Sequence, residues 1–188
     1  MEYRVIRSDR RSLALSLVDG EIVVRAPQSV SQGSIERFVE LHSEWIEKQL
    51  QKHRRQSAAA QARPKIGEKE LAAMYGEARR VIPERVAFYA PLVGVTYGRI
   101  TVRCQKTRWG SCSAEGNLNF NCLLMLTPRE VLDSVIVHEL CHRKYMDHSR
   151  EFYQEVRRVF PEYDKWHGWL RENGRVLMMS ITIKDTSR

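Results

Sequence analysis

Apolar and polar residues alternate in short runs near the start of the chain, which is the pattern of half-buried β-strands. These runs cover Tyr3 to Ile6, Leu13 to Val18 and Ile22 to Arg25. Asp19-Gly20 is a tight-turn signal between the second run and the third. Apolar residues then recur from Ile35 to Leu50 at the spacing of one helical face. The pattern predicts a small antiparallel meander followed by a long helix.

The periodicity is lost between Arg54 and Pro64, a stretch that contains three consecutive alanines. This is the plausible internal boundary of the chain. We expect residues 1–62 to form the meander and its helix, and residues 63–188 to form the core, the two packed as one compact unit.

The second part begins with helical spacing from Lys69 to Tyr89, where Pro83 should end or bend the helix. Strand-like alternation follows over Thr96 to Arg103 and over Leu118 to Leu124. A turn-rich stretch separates these two segments, so the pattern predicts a hairpin.

A helix that is apolar nearly all round then covers Val131 to His142, which indicates that it is buried. Thr127 is its predicted cap, in a T-x-x-E capping box with Glu130. Ser149 is the predicted cap of the next helix, and a last helix is expected from Pro161 to Gly174, a residue that commonly ends helices. On this last helix, inward-facing packing is expected for Tyr163, Trp166, His167 and Leu170.

Composition indicates a folded protein without membrane segments. The chain has 188 residues, of which 43% are hydrophobic, and no apolar run approaches the roughly 20 residues that cross a bilayer. No secretion signal is recognisable, and the four cysteines form neither a CxxC clip nor a disulfide framework, so we expect a cytoplasmic protein with reduced thiols. The net charge of +8 permits an anionic partner, but the basic residues are scattered and match no nucleic-acid module, which disfavours nucleic acid without excluding it.

The segment His138-Glu139-Leu140-Cys141-His142 carries the clearest chemical signal. Histidines at positions i and i+4 project from one helical face and can reach the same ion. Catalytic zinc normally takes three protein ligands and keeps one position for water, and His148 is the best candidate for the third ligand. Glu139, next to the first histidine, is in position to take a proton from the activated water.

Two other interpretations of the histidines compete with a catalytic zinc site. His138 and His142 would satisfy hydrogen bonds in a buried helix if no ion were bound, but Glu139 would then be buried without an organising charge, which is costly. A purely structural zinc would normally have four Cys or His ligands, and Cys141 lies on the wrong side of the helix to be the fourth.

Two further segments precede this helix, Arg108-Trp-Gly-Ser-Cys-Ser113 and Gly116-Asn-Leu-Asn-Phe-Asn121, and Asp147-His-Ser149 with Phe152 follows it. Together with Val135-Ile-Val-His-Glu-Leu-Cys-His142 they resemble the YgjP-like metallopeptidase family, a zincin-type group related to the SprT and WLM proteins. The resemblance implies a zincin-like α+β fold, in which N-terminal antiparallel strands and a long helix precede a small sheet packed on the HExxH helix. It also implies Zn²⁺ bound by His138, His142 and His148.

The predicted function is zinc-dependent hydrolysis, with peptides or proteins as the favoured substrates. Nucleotide hydrolysis is an alternative, because a UTP pyrophosphatase activity is associated with one branch of the resembled family and the positive charge suits a polyphosphate. A non-catalytic zinc-containing binding module is a third possibility, which Glu139 argues against. Arg108 and Tyr145 are candidate substrate-binding residues; a surface or structural ion pair explains Arg108 equally well, and packing explains Tyr145 better.

Overall fold

The computed structural model describes residues 2–181, in which the chain divides into two compact units, Met1–Ala62 and Arg63–Arg188. No helix in this described part of the chain is both long and apolar enough to cross a membrane. The first unit contains three strands and two helices: β1 (Arg4–Ser8), β2 (Ala14–Val18), β3 (Glu21–Pro27), α1 (Gln32–Leu41) and α2 (Ser43–Gln61).

The strands of the first unit do not form the predicted meander. The sheet has the order β1-β3-β2, with β2 antiparallel to β3 and β1 parallel to it. Strand β3 is the most buried of the three, and a buried strand requires hydrogen-bond partners along both edges. The hairpin at Asp19-Gly20 supplies one edge, and β1 supplies the other.

The predicted long helix is two helices, because the chain leaves helical geometry at His42. The imidazole Nδ1 of His42 lies 2.7 Å from the carbonyl oxygen of Phe38, and the backbone dihedral ψ of His42 is +15°. Helix α2 then continues to Gln61, through most of the stretch from Arg54 to Pro64 in which the periodicity is lost. Ile35, Val39 and Ile46 of the two helices pack in one cluster with β3.

The second unit contains a three-stranded sheet and four α-helices among its described residues. They are α3 (Glu68–Val93), β4 (Ile100–Arg103), β5 (Gly110–Cys112), β6 (Leu118–Asn121), a short 3₁₀ turn (Cys122–Leu126), α4 (Arg129–Cys141), α5 (Arg150–Val159) and α6 (Tyr163–Met179). Helix α3 does not end at Pro83 but continues to Val93.

The sheet of this unit has the order β4-β6-β5, so the hairpin predicted between β4 and β6 is wrong. Those two strands are parallel, and the hairpin instead joins β5 to β6 through a turn in which Gly116 has a φ of +86°. Strand β5 has only three residues, too few for an alternation to be seen in the sequence pattern. The consequence is that the Arg108–Ser113 segment lies at the sheet edge that contacts α4.

Helix α4 is the centre of the unit, with ten of its 13 residues buried, as its apolar sequence predicts. It contacts α3, α5, α6 and β5. Its N-cap is Pro128, and no capping box forms, because the Thr127 hydroxyl instead donates to the carbonyl oxygen of Leu124 at 2.7 Å. The α+β class and the packing of a small sheet against the HExxH helix are confirmed.

Gly174 does not end the last helix, which continues to Met179. A Cβ atom at this position would lie 2.9 Å from Nε1 of Trp109, closer than real contacts allow. The glycine is therefore explained by close packing of the Trp109 indole against α6, rather than by a helix stop.

One buried ion pair joins α3 to α4. The Arg85 guanidinium donates to both carboxylate oxygens of Asp133 at 2.8 and 2.7 Å, and the two side chains are only 16% and 8% exposed. The hydrogen bonds from this guanidinium to Asp133 raise the pKa of Arg85. Bidentate geometry of this kind is the strongest form of the arginine–carboxylate interaction.

We expect Asp133→Ala to lower the free energy of unfolding by about 3 to 5 kcal/mol, because it leaves the Arg85 charge buried without a partner. Urea denaturation measures this change. Glu84→Ala is the matched control, since its carboxylate is 61% exposed and pairs with Arg80 at 3.8 Å, and it should leave the midpoint almost unchanged. Equal effects of the two substitutions would contradict a stabilising role for the buried pair.

Candidate metal centre

The structure brings three predicted histidines together at the C-terminal end of α4. His138 and His142 lie one helical turn apart, and the loop between α4 and α5 returns His148 to them. One nitrogen from each ring can be chosen so that all three lie within 4.8 Å of one another. The Nε2 atoms of His138 and His148 are 3.1 Å apart. Tetrahedral zinc with bonds of about 2.0–2.1 Å separates its ligand atoms by about 3.3 Å, so the His138–His148 spacing matches a single ion, and atoms 4.8 Å apart would have to approach each other to share it.

The outer nitrogens of the two helical histidines are already hydrogen-bonded. Nδ1 of His142 lies 2.9 Å from the carbonyl oxygen of Tyr145, and Nδ1 of His138 lies 2.8 Å from the hydroxyl of Tyr163. Such contacts fix ring orientation and leave Nε2 free to bind a metal. Burial is the largest cause that lowers the pKa of both imidazoles, that of His138 to about 3. Both shifts favour the neutral ring, which is the form that binds metal.

Phe152 of α5 is an aromatic support for all three histidines. Its buried ring lies 4.9 Å from the ring of His138, 4.6 Å from that of His142 and 5.0 Å from that of His148, measured between centroids. The apolar contact limits rotation of the three imidazoles and excludes water from one side of the group. Phe152 is one of the residues that carry the family resemblance, but its contact with all three histidines was not predictable from the sequence.

The loop that presents His148 is anchored at both ends. At its start, Lys144 donates to Glu155 of α5 at 2.6 Å, and Arg158 donates to the same carboxylate. The hydrogen bond from Arg158 is the largest of the causes that lower the pKa of Glu155 to about 2. At its end, the Ser149 side chain accepts from the backbone N–H of Phe152, as predicted for a helix cap. These contacts tie the loop to α5.

Glu139 lies on the face of α4 that meets the sheet. Its side chain is buried and fits against the backbone of Gly110, where a Cβ atom would lie 2.6 Å from Oε1 of the carboxylate. Burial raises the pKa of Glu139 to about 8, and the positive charge of Arg108 opposes this shift. The glycine of the Arg108–Ser113 segment is thus the residue that makes space for the carboxylate.

A cavity of about 210 Å³ opens beside His138 and Glu139. Its walls are mainly apolar, formed by Trp109, Val135 and Leu170, with Arg108 at the exposed side. The volume and the mixture of apolar walls with a few polar groups are typical of a site for part of a small ligand or a side chain.

Of the two candidate substrate-binding residues, only Arg108 lines this cavity. The side chain of Tyr145 instead packs against the hydrophobic core, and its backbone carbonyl is the group that contacts His142. Both assignments concern substrate contacts and remain predictions.

Sequence reasoning assigned Tyr163 and His167 only to packing, yet both contribute polar groups to the site. The Tyr163 hydroxyl lies 2.8 Å from Nδ1 of His138 and 2.8 Å from Nδ1 of His167, and both residues line the cavity. Their spacing of i and i+4 on α6 matches that of the two helical histidines on α4. This repeated spacing of hydrogen-bonding aromatic residues is the sequence signal that could have indicated a role for Tyr163 and His167 in the site.

Comparison with known proteins identifies the family to which the chain belongs. A model of the family described as YgjP-like, metallopeptidase domain, matches residues 11–77 and 59–173 of the chain. The chain belongs to this YgjP-like metallopeptidase-domain family. The matched residues include the HExxH helix and His148, so the three histidines lie within the family's domain.

Among solved structures, the chain is similar to two archaeal metallopeptidase zymogens. Abylysin of Pyrococcus abyssi matches with 20% identity and a TM-score of 0.46, over 50% of this chain and 97% of the other. Jannalysin of Methanocaldococcus jannaschii matches with 23% identity and a TM-score of 0.44, over 48% of this chain and 94% of the other. No curated protein matches the chain.

We expect Tyr163→Phe to weaken zinc binding by about 10- to 100-fold while the stoichiometry stays at one ion per chain, because it removes the hydrogen bond that orients His138. Competition with a chromogenic chelator measures the affinity. Tyr153→Phe is the matched control, since its ring stacks near His148 but no hydrogen bond joins its hydroxyl to a histidine in the described part of the chain. His148→Ala should abolish zinc binding, and it is the reference for a protein without a functional metal site. Wild-type affinity in Tyr163→Phe would contradict the orienting role.

Proposed function

We propose that this protein is a zinc-dependent peptidase in which His138, His142 and His148 hold the metal and Glu139 is the general base. The observation that carries the proposal is the group of three histidine nitrogens that lie within 4.8 Å of one another. Glu139 is buried on α4 next to His138, and both residues line an open cavity. Membership of a metallopeptidase-domain family supports the same reaction class.

Two of the three proposed ligands, His138 and His142, have a hydrogen-bond partner that suits them to the metal. The hydrogen bonds at Nδ1 of His138 and His142 keep Nε2 free for the metal, and burial, which lowers the pKa of both imidazoles, favours the neutral rings. When bound, zinc supplies Lewis acidity, which polarises a substrate carbonyl and makes water a stronger acid.

Glu139 performs the proton transfers in this proposal. Its carboxylate accepts a proton from the attacking water and later delivers it to the nitrogen of the leaving amine. The Glu139 side chain packs against the backbone of Gly110 on one side, and Glu139 lines the cavity together with His138. Arg108, at the exposed side of the cavity, is the proposed contact for a carbonyl or carboxylate of the peptide.

The walls of the cavity favour a peptide over a nucleotide. Trp109, Val135 and Leu170 offer apolar contact, which suits a side chain of a peptide. A triphosphate requires several cationic or backbone N–H donors, yet Arg108 is the only arginine or lysine that lines the cavity among the described residues. Hydrolysis of UTP is therefore an outcome to be tested beside peptide cleavage and not a second proposal.

We expect Glu139→Gln to retain one zinc per chain and to lose peptide cleavage by at least about 1000-fold, because the amide cannot accept the proton. Elemental analysis and cleavage of casein and of a quenched fluorescent peptide library measure the two properties. Assays with UTP run in parallel. A zinc-loaded wild-type protein that cleaves UTP but no peptide would overturn the peptidase proposal, and a protein that binds no zinc would overturn the metal site.

Gly110→Ala tests the contact that positions the general base. The added Cβ would meet Glu139 at 2.6 Å and displace its carboxylate, so we expect zinc binding to persist while cleavage falls by about 100-fold. Gly168→Ala on α6 is the control, because a Cβ there meets nothing within 4 Å. Activity of Gly110→Ala equal to that of the control would show that the position of Glu139 does not depend on this glycine.

A further inference from the structure

His167 is a second histidine that faces the cavity beside the metal centre. It follows Tyr163 by one turn of α6, and it lines the cavity together with His138 and Glu139. The rings of His138 and His167 are close to parallel, at 26°, with their centroids 6.4 Å apart. The imidazole is solvent-exposed, so a substrate in the cavity can reach it.

The hydrogen bonds between these residues have a defined direction. If Nε2 of His138 binds the ion, its ring proton must be on Nδ1, which then donates to the Tyr163 oxygen. A tyrosine hydroxyl has one proton, and Tyr163 must therefore donate it to Nδ1 of His167, at 2.8 Å. His167 in turn must carry its own proton on Nε2. The chain of contacts thus selects the tautomer of His167.

We propose that His167 is a further catalytic residue, whose Nε2–H donates to the carbonyl oxygen of the scissile peptide bond. The inference rests on the proposed peptidase function. Tyr163 is the positioning residue, because it holds the ring and selects the tautomer but does not itself contact the substrate.

The step that His167 assists is the attack on the carbonyl carbon. As the oxygen of water bonds to this carbon, the π electrons of the carbonyl move to its oxygen, and Glu139 takes the proton that the water releases. The negative charge on the former carbonyl oxygen is stabilised by the Nε2–H of His167. When the electrons return and the C–N bond breaks, the proton held by Glu139 passes to the departing amine, which leaves a carboxylic acid and an amine.

Preorganisation favours His167 over Arg108 in this role. The His167 ring is fixed by the buried Tyr163, so its donor requires no rearrangement as charge develops. In the described part of the chain, the exposed Arg108 guanidinium has no hydrogen bond that fixes it, whereas its backbone oxygen accepts one from Asn121. A flexible guanidinium is better suited to binding the substrate than to stabilising the charge that develops on one oxygen.

The test compares His167→Ala with His167→Gln, whose amide N–H can occupy a position similar to Nε2. We expect His167→Ala to keep its zinc and to change KM by less than about twofold, while kcat falls about 100-fold, the typical loss for such a donor. His167→Gln should recover about tenfold of this loss. Lys165→Ala, on the exposed surface of the same helix, is the control and should retain wild-type kinetics.

Three readouts do not depend on turnover. A phosphinic peptide, which carries a tetrahedral anionic group, should bind to zinc-loaded His167→Ala about 100-fold more weakly than to the wild type, in parallel with kcat. A peptide substrate bound to Glu139→Gln should lose little affinity when His167→Ala is added. Nitrogen NMR of the zinc-loaded protein should show His167 protonated at Nε2, and this preference should weaken in Tyr163→Phe.

The outcomes separate this inference from the proposed function. If the wild type cleaves peptides and binds the phosphinic peptide, but His167→Ala matches it in kcat and in phosphinic affinity, the catalytic role of His167 is overturned and the peptidase stands. A proton on Nδ1 of His167 in the zinc-loaded protein would also overturn it. If the zinc-loaded wild type neither cleaves peptides nor binds the phosphinic peptide, the proposed function fails and the assignment of His167 fails with it.

Discussion

The burial of α4 is the constraint on which the rest of the second unit depends. A helix buried on nearly all sides must find partners within the protein for most of its polar side chains, because little water reaches them. Asp133 meets Arg85 of α3, His138 meets Tyr163 of α6, and Glu139 fits against the backbone of β5. The elements that cover the apolar surface of the helix are therefore the elements that supply its polar contacts. Packing and chemistry are satisfied by one arrangement.

The parts of the fold and site that the sequence predicts are those that depend on neighbours along the chain. Helical spacing identifies α4 and its burial, a serine identifies the start of α5, and the spacing of His138 and His142 predicts that their rings share one helical face. The return of His148 is also a local property, since only a short loop separates it from α4. Each of these predictions needs little more than one turn of chain on either side.

The parts that the sequence does not predict depend on contacts between distant segments. Strand pairing is the first case, because alternation identifies a strand but not its partner, and both β1 and β4 pair in parallel with a strand that is not their nearest neighbour in the chain. The role of a glycine is the second case. Glycine commonly ends helices, but Gly174 lies inside α6, where the absence of a side chain lets Trp109 pack closely. Tyr163 and His167 are the third, because an inward-facing polar ring reveals its partner only after α6 has been packed against α4.

The separation between a local set of proposed metal ligands and a distant set of supporting residues has a consequence for how the protein is handled. The three histidines lie within one short segment, so closing a single small loop is enough to gather them. The contact of His138 with Tyr163 spans 25 positions, and the surroundings of Glu139 require a strand that precedes α4. If the histidines hold an ion as proposed, a partly folded chain can capture it before the cavity exists, and metal that binds such a state stabilises the native one less than its affinity suggests. Metal occupancy alone is then a poor criterion of quality for a preparation of this protein. Chains with and without the native arrangement of α6 and β5 would contain the same amount of metal.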